Sequence, residues 1–251
     1  MSNIEATRDL PVLIIHTGNP DKVLRGSHGD YAEMLRHAAG LLPQEVQVIK
    51  VYHGETMQPA SSYRAALITG SPAMVTDREP WSELTADWIR EAAAFGLPMF
   101  GICYGHQLLA HALGGSVDYN PLGRELGTQI VECLPAAVGD ALMTGMPERF
   151  PAQLLHAQSV TQLPPGAVAL ARSDMDPHQF VRLAPFIYSA QFHPEFGCEF
   201  MRDHLERYAE DYKKEGLDIP ALVQGLGPTP TAGNLVRRFL KVTSRSAART
   251  A

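Results

Sequence analysis

Pro98-Met99-Phe100-Gly101-Ile102-Cys103-Tyr104-Gly105-His106-Gln107-Leu108-Leu109 is the stretch on which the reading of this chain turns. It opens as a short apolar strand, tightens at Gly101 to Gly105, and continues as a helix from about Tyr104. A G-x-C-x-G between a strand and a helix has the mechanics of a nucleophile elbow. The central residue sits on a strained turn, and its neighbours two positions away must be small so that the backbone can fold back. The thiol would stand at a helix N-terminus, where the dipole and the free N–H groups favour thiolate over thiol. A free cysteine of pKa ~8.5 is only about 3% ionised at neutral pH, so this placement has a chemical purpose. The competing reading is a buried cysteine filling core space beside two packing glycines.

The elbow lies in a window of 26 residues, between Glu91 and Asp118, that contains no Asp, Glu, Lys or Arg. Length alone would allow a membrane span. Gly96, Pro98 and the elbow glycines interrupt it, however, and His106, Gln107 and His111 would be costly in lipid, so no membrane is expected. Charged residues make up 19% of the 251 positions, against a usual ~25%, and 21 basic side chains against 27 acidic ones leave a net charge of −6. That balance argues against a phosphate-backbone binder, so no nucleic acid partner is expected. Cys103, Cys133 and Cys198 form an odd set without CxxC spacing, which fits neither a disulfide framework nor a zinc knuckle. The expected compartment is a reducing cytoplasm. The opening MSNIEATRDL carries acids and lacks an apolar core, so no signal peptide is expected.

Elsewhere, apolar runs and helical spacings alternate. Strands are expected at Pro11 to Ile15, Val46 to Val51, Ala65 to Thr69, Pro98 to Ile102 and Phe186 to Phe192. Tyr31, Leu35, Ala38 and Leu42 give one helix face, Leu84, Trp88, Ala92 and Phe95 a second, and Met201, Leu205, Tyr208 and Tyr212 a third. Such alternation implies an α/β fold with a parallel sheet covered on both faces. Between Asp118 and Ala190 the pattern loosens into short runs, Gln129 to Cys133 and Val168 to Ala171, which suggest a small antiparallel extension. Gly225 to Ala232 reads as a linker, Leu235, Val236, Phe239 and Leu240 as a C-terminal helix, and Arg237, Arg238, Lys241, Arg245 and Arg249 as a solvated basic tail. The expected division is a catalytic unit over 1–215 and an extension over 216–251 packed on it.

A thiolate nucleophile needs a base, and the base needs an orienter. Ser189-Ala190-Gln191-Phe192-His193-Pro194-Glu195 supplies both at the end of the last strong strand, with His193 as proton carrier and Glu195 holding its far nitrogen. His106 and His111 lie five apart on the elbow helix and do not share a face, so no metal is expected there.

With Cys103 in GICYGHQLLAHALGG and His193 with Glu195 in QFHPEF, the chain resembles the class I (triad) glutamine amidotransferases. It is most similar to a stand-alone branch related to the glutaminase domain of GMP synthase. The resemblance implies a flavodoxin-like three-layer sandwich and hydrolysis of the glutamine γ-amide through a Cys103 thioester, with no cofactor. It implies an oxyanion hole from the backbone N–H groups of Tyr104 and of Ser71, in the loop Thr69-Gly70-Ser71-Pro72. Many relatives carry Gly-Gly-Pro there, and the side chain of Ser71 is expected to restrict any flip of this peptide.

Substrate contacts implied in the same way fall on Gly70, Gln107, the Arg124-Glu125-Leu126-Gly127 segment, and Ala157 with Gln158. In the last pair Gln158 replaces the family's acid and Ala157 its glycine, a departure that weakens the attraction for an ammonium group. No P-loop signature is present, so ATP-dependent chemistry is not expected in these residues. Ammonia would go to a separate acceptor, a synthase subunit, or the enzyme would hydrolyse γ-glutamyl peptides or amides by the same chemistry. Two other readings remain open at this point: an α/β-hydrolase with a cysteine elbow, calling on Asp174 or Asp176 as the acid, and a binding protein on a related scaffold without turnover.

Overall fold

The computed structural model describes residues 10–247, with side chains through residue 244. Most of the opening segment read for a signal peptide, and Arg249 of the basic tail, lie outside the described residues. In chain order the first half runs β1 (Val12–His16), α1 (Lys22–His28), α2 (Tyr31–Ala39), β2 (Val46–Lys50), β3 (Ala65–Ile68), α3 (Pro80–Phe95), β4 (Met99–Ile102) and α4 (Tyr104–Ala112). The second half adds β5 (Ser116–Tyr119), β6 (Glu125–Cys133), β7 (Arg149–His156), β8 (Gln158–Gln162), β9 (Val168–Arg172), β10 (Phe180–Ala184) and β11 (Ile187–Ala190). It closes with α5 (Cys198–Arg207), α6 (Ala209–Lys214), α7 (Ile219–Gln224), α8 (Pro230–Gly233) and α9 (Leu235–Ala247).

The nine-stranded sheet has the order β2-β1-β3-β4-β11-β10-β9-β6-β7, and β5 pairs with β8 in a separate ribbon. From β2 to β11 every pairing is parallel, whereas from β11 outward every pairing is antiparallel. The parallel strands β1, β3, β4 and β11 are buried at every position, which explains why they read as continuous apolar runs. One face packs Leu35 of α2 and Phe239 of α9 over Phe100; the other packs Ile89 of α3 and Leu108 of α4 over Met99. This is the expected three-layer α/β sandwich. The strands after Asp118 are longer than the short runs suggested and extend the main sheet, leaving β5–β8 as the detached antiparallel piece. Among the described residues no helix is long and apolar enough to cross a membrane.

Leucine and aromatic spacing finds part of two helix faces, Tyr31 with Leu35 and Trp88 with Ala92, but misplaces their ends. In α3 the inward side is Thr85, Ala86, Trp88, Ile89 and Ala92, and Leu84 and Phe95 are 67% and 61% exposed. In α2 the inward side is Tyr31, Ala32, Met34, Leu35 and Ala39; Gly40 ends the helix at φ 69, and Leu42 lies beyond it, exposed. The expected third helix is broken at Tyr208, which ends α5 and begins α6. The glycine-rich stretch from Gly225 is not free: Gly227 N–H donates to Thr128 Oγ1 at 3.0 Å and its carbonyl accepts from Gln153 Nε2 at 3.0 Å.

Phe239 of α9 meets the Phe100 ring at 5.4 Å and the Tyr188 ring at 6.4 Å, beneath the strands that carry the elbow. Phe239→Ala should therefore destabilise the whole fold by about 3–5 kcal/mol, measured by chemical denaturation. A loss well below 1 kcal/mol would show that α9 is a detachable tail.

Candidate active site

Cys103 adopts φ 50, ψ −102, a left-handed conformation between β4 and α4. The flanking glycines are required by close approach. A Cβ on Gly101 would collide with the Gly105 carbonyl, and one on Gly105 would stand 2.6 Å from the Ile68 carbonyl of β3. The Cys103 N–H donates to the Ala190 carbonyl at the end of β11 at 2.8 Å, tying the elbow to the strand that leads to His193. The sulfur lies 3.5 Å from the Leu155 carbonyl of β7.

His193 and Glu195 come from the loop after β11, and both side chains are almost wholly buried, at 4% and 2% exposure. The His193 N–H is anchored on the Gln153 carbonyl at 2.8 Å, and its ring lies flat on Phe196 at 4.0 Å. Nδ1 meets Glu195 Oε1 at 2.8 Å, so Nδ1 carries the donated proton and Nε2 is the end that can exchange one. Burial alone would lower the imidazole pKa, but the Glu195 carboxylate and the Cys103 sulfur outweigh it and push it up to about 10. The sulfur is close enough to act on the imidazole, yet Nε2 has no partner in full hydrogen-bond geometry. Such contacts are often loose in free enzymes and tighten when substrate binds. A hypothetical Cβ on Gly70 would stand 3.0 Å from His193 Cε1 and 3.7 Å from Cys103 Cβ, so this glycine keeps open the gap between thiol and imidazole.

The loop after β3 is held by the end of β1. The Thr17 hydroxyl lies 2.9 Å from the Gly70 carbonyl and 3.0 Å from the Thr69 carbonyl, and Ser71 Oγ donates back to the Thr17 carbonyl at 2.8 Å. The Gly70–Ser71 peptide is thereby fixed through its carbonyl, with the Ser71 N–H trans to it. Among the described residues that N–H donates to no protein acceptor. The Tyr104 N–H, at the first position of α4, has no intrahelical partner either. Ser71 and Tyr104 both line the cavity that holds Cys103.

This cavity, of about 340 Å³, also includes Gln107, Arg124, His156, Ala157 and Gln158 in its wall. Gln107 donates to the Gln158 carbonyl at 2.7 Å and to Gln191 Oε1 at 3.0 Å, which leaves its own Oε1 as the free end. Gln158 donates through Nε2 to Thr76 Oγ1 at 2.5 Å, while its buried Oε1 has no partner. The expected site residues are thus brought together.

The sequence did not reveal Thr17, Phe196, or a buried His156–Glu125 pair at 2.9 Å. Both His156 nitrogens face oxygens, Glu125 Oε2 and the Gln158 carbonyl, so the pair must hold two protons between them. It braces the strand edge that carries Ala157 and Gln158. Asp176, which the hydrolase alternative called on, caps a turn through the His178 N–H. The carboxylate on His193 is Glu195, so that alternative is not realised. Among the described residues no group of three or more His, Cys, Asp or Glu could hold a metal ion. His106 is buried against Ser189 Oγ at 2.7 Å, and burial, ahead of its charged neighbours, holds its pKa down to about 3.

Residues 24–207 match the family model described as glutamine amidotransferase class-I. The chain is 31% identical over 188 residues to a glutamine-hydrolysing GMP synthase of Thermosipho africanus, covering 72% of this chain but 32% of that protein's length. It is 29% identical over 192 residues to one subunit of the glutamine-hydrolysing GMP synthase of Methanopyrus kandleri, covering 73% of this chain and 94% of the relative. A γ-glutamyl-L-1-hydroxyisopropylamide hydrolase of a Pseudomonas species is 29% identical over 182 residues, covering 64% and 58% of the two chains. Among solved structures, a glutamine amidotransferase of Thermotoga maritima superposes with a TM-score of 0.75 at 21% identity, over 94% of this chain and 98% of that one, a likeness of fold.

Two substitutions probe the geometry. Glu195→Gln should lower kcat by about 10²–10⁴-fold. It should also move the alkaline limb of the kcat/KM profile to lower pH, because the carboxylate that helps hold the proton on His193 is gone. The sign follows from a folded-state pKa near 10 above an unfolded value of ~6.5: the pair's stabilisation is complete below ~6.5 and is lost as the pH rises through about 10. An unmoved alkaline limb would detach Glu195 from the imidazole. Thr17→Val should lower kcat about tenfold or more, towards the 10²–10³-fold of a lost oxyanion donor, with KM nearly unchanged. Thr17→Ser should retain activity, and equal loss in both variants would remove the hydroxyl from the account.

Proposed function

The chain belongs to the class-I glutamine amidotransferases, and from that premise we propose that it hydrolyses the γ-amide of glutamine to glutamate and ammonia through a thioester on Cys103. The observation that carries this reading is the meeting of a left-handed Cys103 with the buried His193–Glu195 pair across the gap kept open by Gly70. The sulfur attacks the γ-carbonyl carbon, and the oxyanion that forms is met by the Ser71 and Tyr104 N–H groups. The carbon–nitrogen bond breaks as His193 gives its proton to the departing nitrogen. His193 then takes a proton from water, which attacks the thioester and releases glutamate and the thiol. Glu195 keeps the imidazole oriented and balances its charge through both steps. Gln107, Ala157 and Gln158 receive the glutamyl head group, and Gln158 Oε1 is the acceptor for its ammonium. Gln158 is neutral where the family has an acid, so this contact contributes less than a carboxylate would.

A second reading keeps the chemistry and enlarges the leaving group, making the enzyme a γ-glutamyl amide hydrolase. It is favoured by the Pseudomonas relative, whose name states a γ-glutamyl amide substrate, and by a cavity that continues past His193 to Tyr208 and Glu215. Under the first reading the partner is an ammonia-accepting synthase subunit, in keeping with the Methanopyrus relative, whose name makes it one subunit of a synthase. We assign residues 1–215 to the catalytic unit and 216–251 to an extension that braces it through Phe239.

Incubation with glutamine alone, with glutamate measured and Cys103→Ala as control, tests the proposal. The wild type should turn over and the variant should fall to background, a loss of about 10³-fold or more. Faster cleavage of γ-glutamyl amides than of glutamine would select the second reading, and equal rates for wild type and variant would end both.

A further inference from the structure

The cavity has a second wall that ammonia release leaves unused. On the histidine side of Cys103 a series of rings runs outward. His193 lies on Phe196, Phe196 meets Phe200 at 4.2 Å, and Phe200 meets His204 at 6.0 Å. His204 in turn meets Tyr208 at 4.8 Å and Tyr212 at 6.0 Å. Tyr31, His204, Tyr208 and Tyr212 all line the cavity.

Beyond His193, the rings that line the cavity, Tyr31, His204, Tyr208 and Tyr212, carry no charge of their own. Burial, then the charges on His193 and Arg124, holds the His204 pKa down to about 4, and burial, then the Cys103 and Glu195 charges, pushes the Tyr31 hydroxyl up. The charged groups at the mouth are already paired: Arg124 with Glu215 at 2.9 Å, and Asp211 with Lys214 at 2.8 Å. His204 Nε2 is bonded to the Tyr212 hydroxyl at 2.7 Å, while its buried Nδ1 has no partner. The wall is therefore largely aromatic, with the paired Arg124 guanidinium over the Tyr212 ring at 5.3 Å and one unspent imidazole nitrogen on His204.

The reaction decides which half of an amide meets this wall. Tyr104 opens the helix that carries Gln107, whose side chain is bonded to the Gln158 carbonyl, whereas His193, which protonates the departing nitrogen, is stacked on Phe196 at the start of the rings. The amine must leave on the ring side. A volume of about 340 Å³ falls within the ~300–1,000 Å³ of pockets that enclose ligands of drug size. Tyr208 and Tyr212 lie just beyond residue 207, where the match to the family model ends.

Resting on the γ-glutamyl amide hydrolase reading, we propose that the substrate is a γ-glutamyl amide of an aromatic amine, whose ring packs among Tyr31, Tyr208 and Tyr212. The Cys103 sulfur bonds to the carbonyl carbon of the γ-amide, the carbon–nitrogen bond breaks, and the arylalkylamine leaves with the His193 proton. Water then returns the thiol and glutamate, with no redox change.

The test compares kcat/KM for glutamine, γ-glutamylmethylamide and γ-glutamylphenethylamide in the wild type, Tyr208→Ala and Tyr208→Phe. The two amines are primary alkylamines of similar basicity, so their ratio reports on binding of the ring. The phenethylamide should exceed the methylamide by about tenfold or more. Tyr208→Ala should cut that ratio by about threefold or more, and Tyr208→Phe should preserve it. A wild-type ratio at or below one, or a ratio unchanged in Tyr208→Ala, overturns the proposal. If glutamine and the methylamide are hydrolysed without preference for the ring, only the aromatic-amine assignment falls. If no γ-glutamyl compound acylates Cys103, as read from the intact protein mass, the γ-glutamyl reading falls with it.

Discussion

The site depends on one residue held in a backbone conformation that L-amino acids avoid. At φ 50 Cys103 carries strain of about 1–3 kcal/mol, and the strain persists because its surroundings over-determine it. The N–H is tied to Ala190, Gly101 meets the turn of α4 without a Cβ between them, and Gly105 lies against the carbonyl of Ile68. These restraints come from three adjacent parallel strands, so the elbow can exist only where β3, β4 and β11 lie side by side. The same edge of the sheet delivers the other parts: Thr17 follows β1, Gly70 follows β3 and His193 follows β11. Ligands of open α/β sheets bind beyond the carboxyl ends of such strands for this reason.

Burial then decides the electrostatics. The His193–Glu195 pair has almost no water around it, and Phe196 covers one face of the imidazole. A lone imidazolium there would be costly, so the carboxylate is what makes the proton available. The His156–Glu125 pair applies the same physics to a structural end: one proton is shared between Nε2 and the carboxylate, and the Nδ1 proton is spent on the Gln158 carbonyl. One buried pair faces the thiol and the other faces backbone.

How much is legible in the sequence follows from the range of each interaction. The elbow can be read because its demands are local: two glycines and a cysteine within five positions. His193 and Glu195 can be read because both lie in one strand end. The faces of α2 and α3 are read at Tyr31, Leu35, Trp88 and Ala92 but not at their ends, because a periodic stripe does not mark where the buried arc stops, and Leu42, Leu84 and Phe95 prove exposed. The antiparallel half of the sheet is under-read because its strands mix buried and exposed positions, as in β6. Thr17, the Leu155 carbonyl and the ring wall cannot be read at all. Each acts on residues far away in the chain, and no local pattern marks a hydroxyl that will meet a carbonyl 53 positions later.

The union of β4 with β11 also has a consequence in time. Cys103 is made early by a ribosome, but the strand that receives its N–H and the histidine that follows it are 84 or more residues downstream, beyond six antiparallel and ribbon strands. Pairings of such sequence separation close late in folding, since the loop entropy must be met before the contacts form. Until then Cys103 is an ordinary thiol on a flexible chain. Cys103, His193 and Glu195 meet in the step that completes the sheet, so a partly folded chain lacks the arrangement on which the proposed hydrolysis rests.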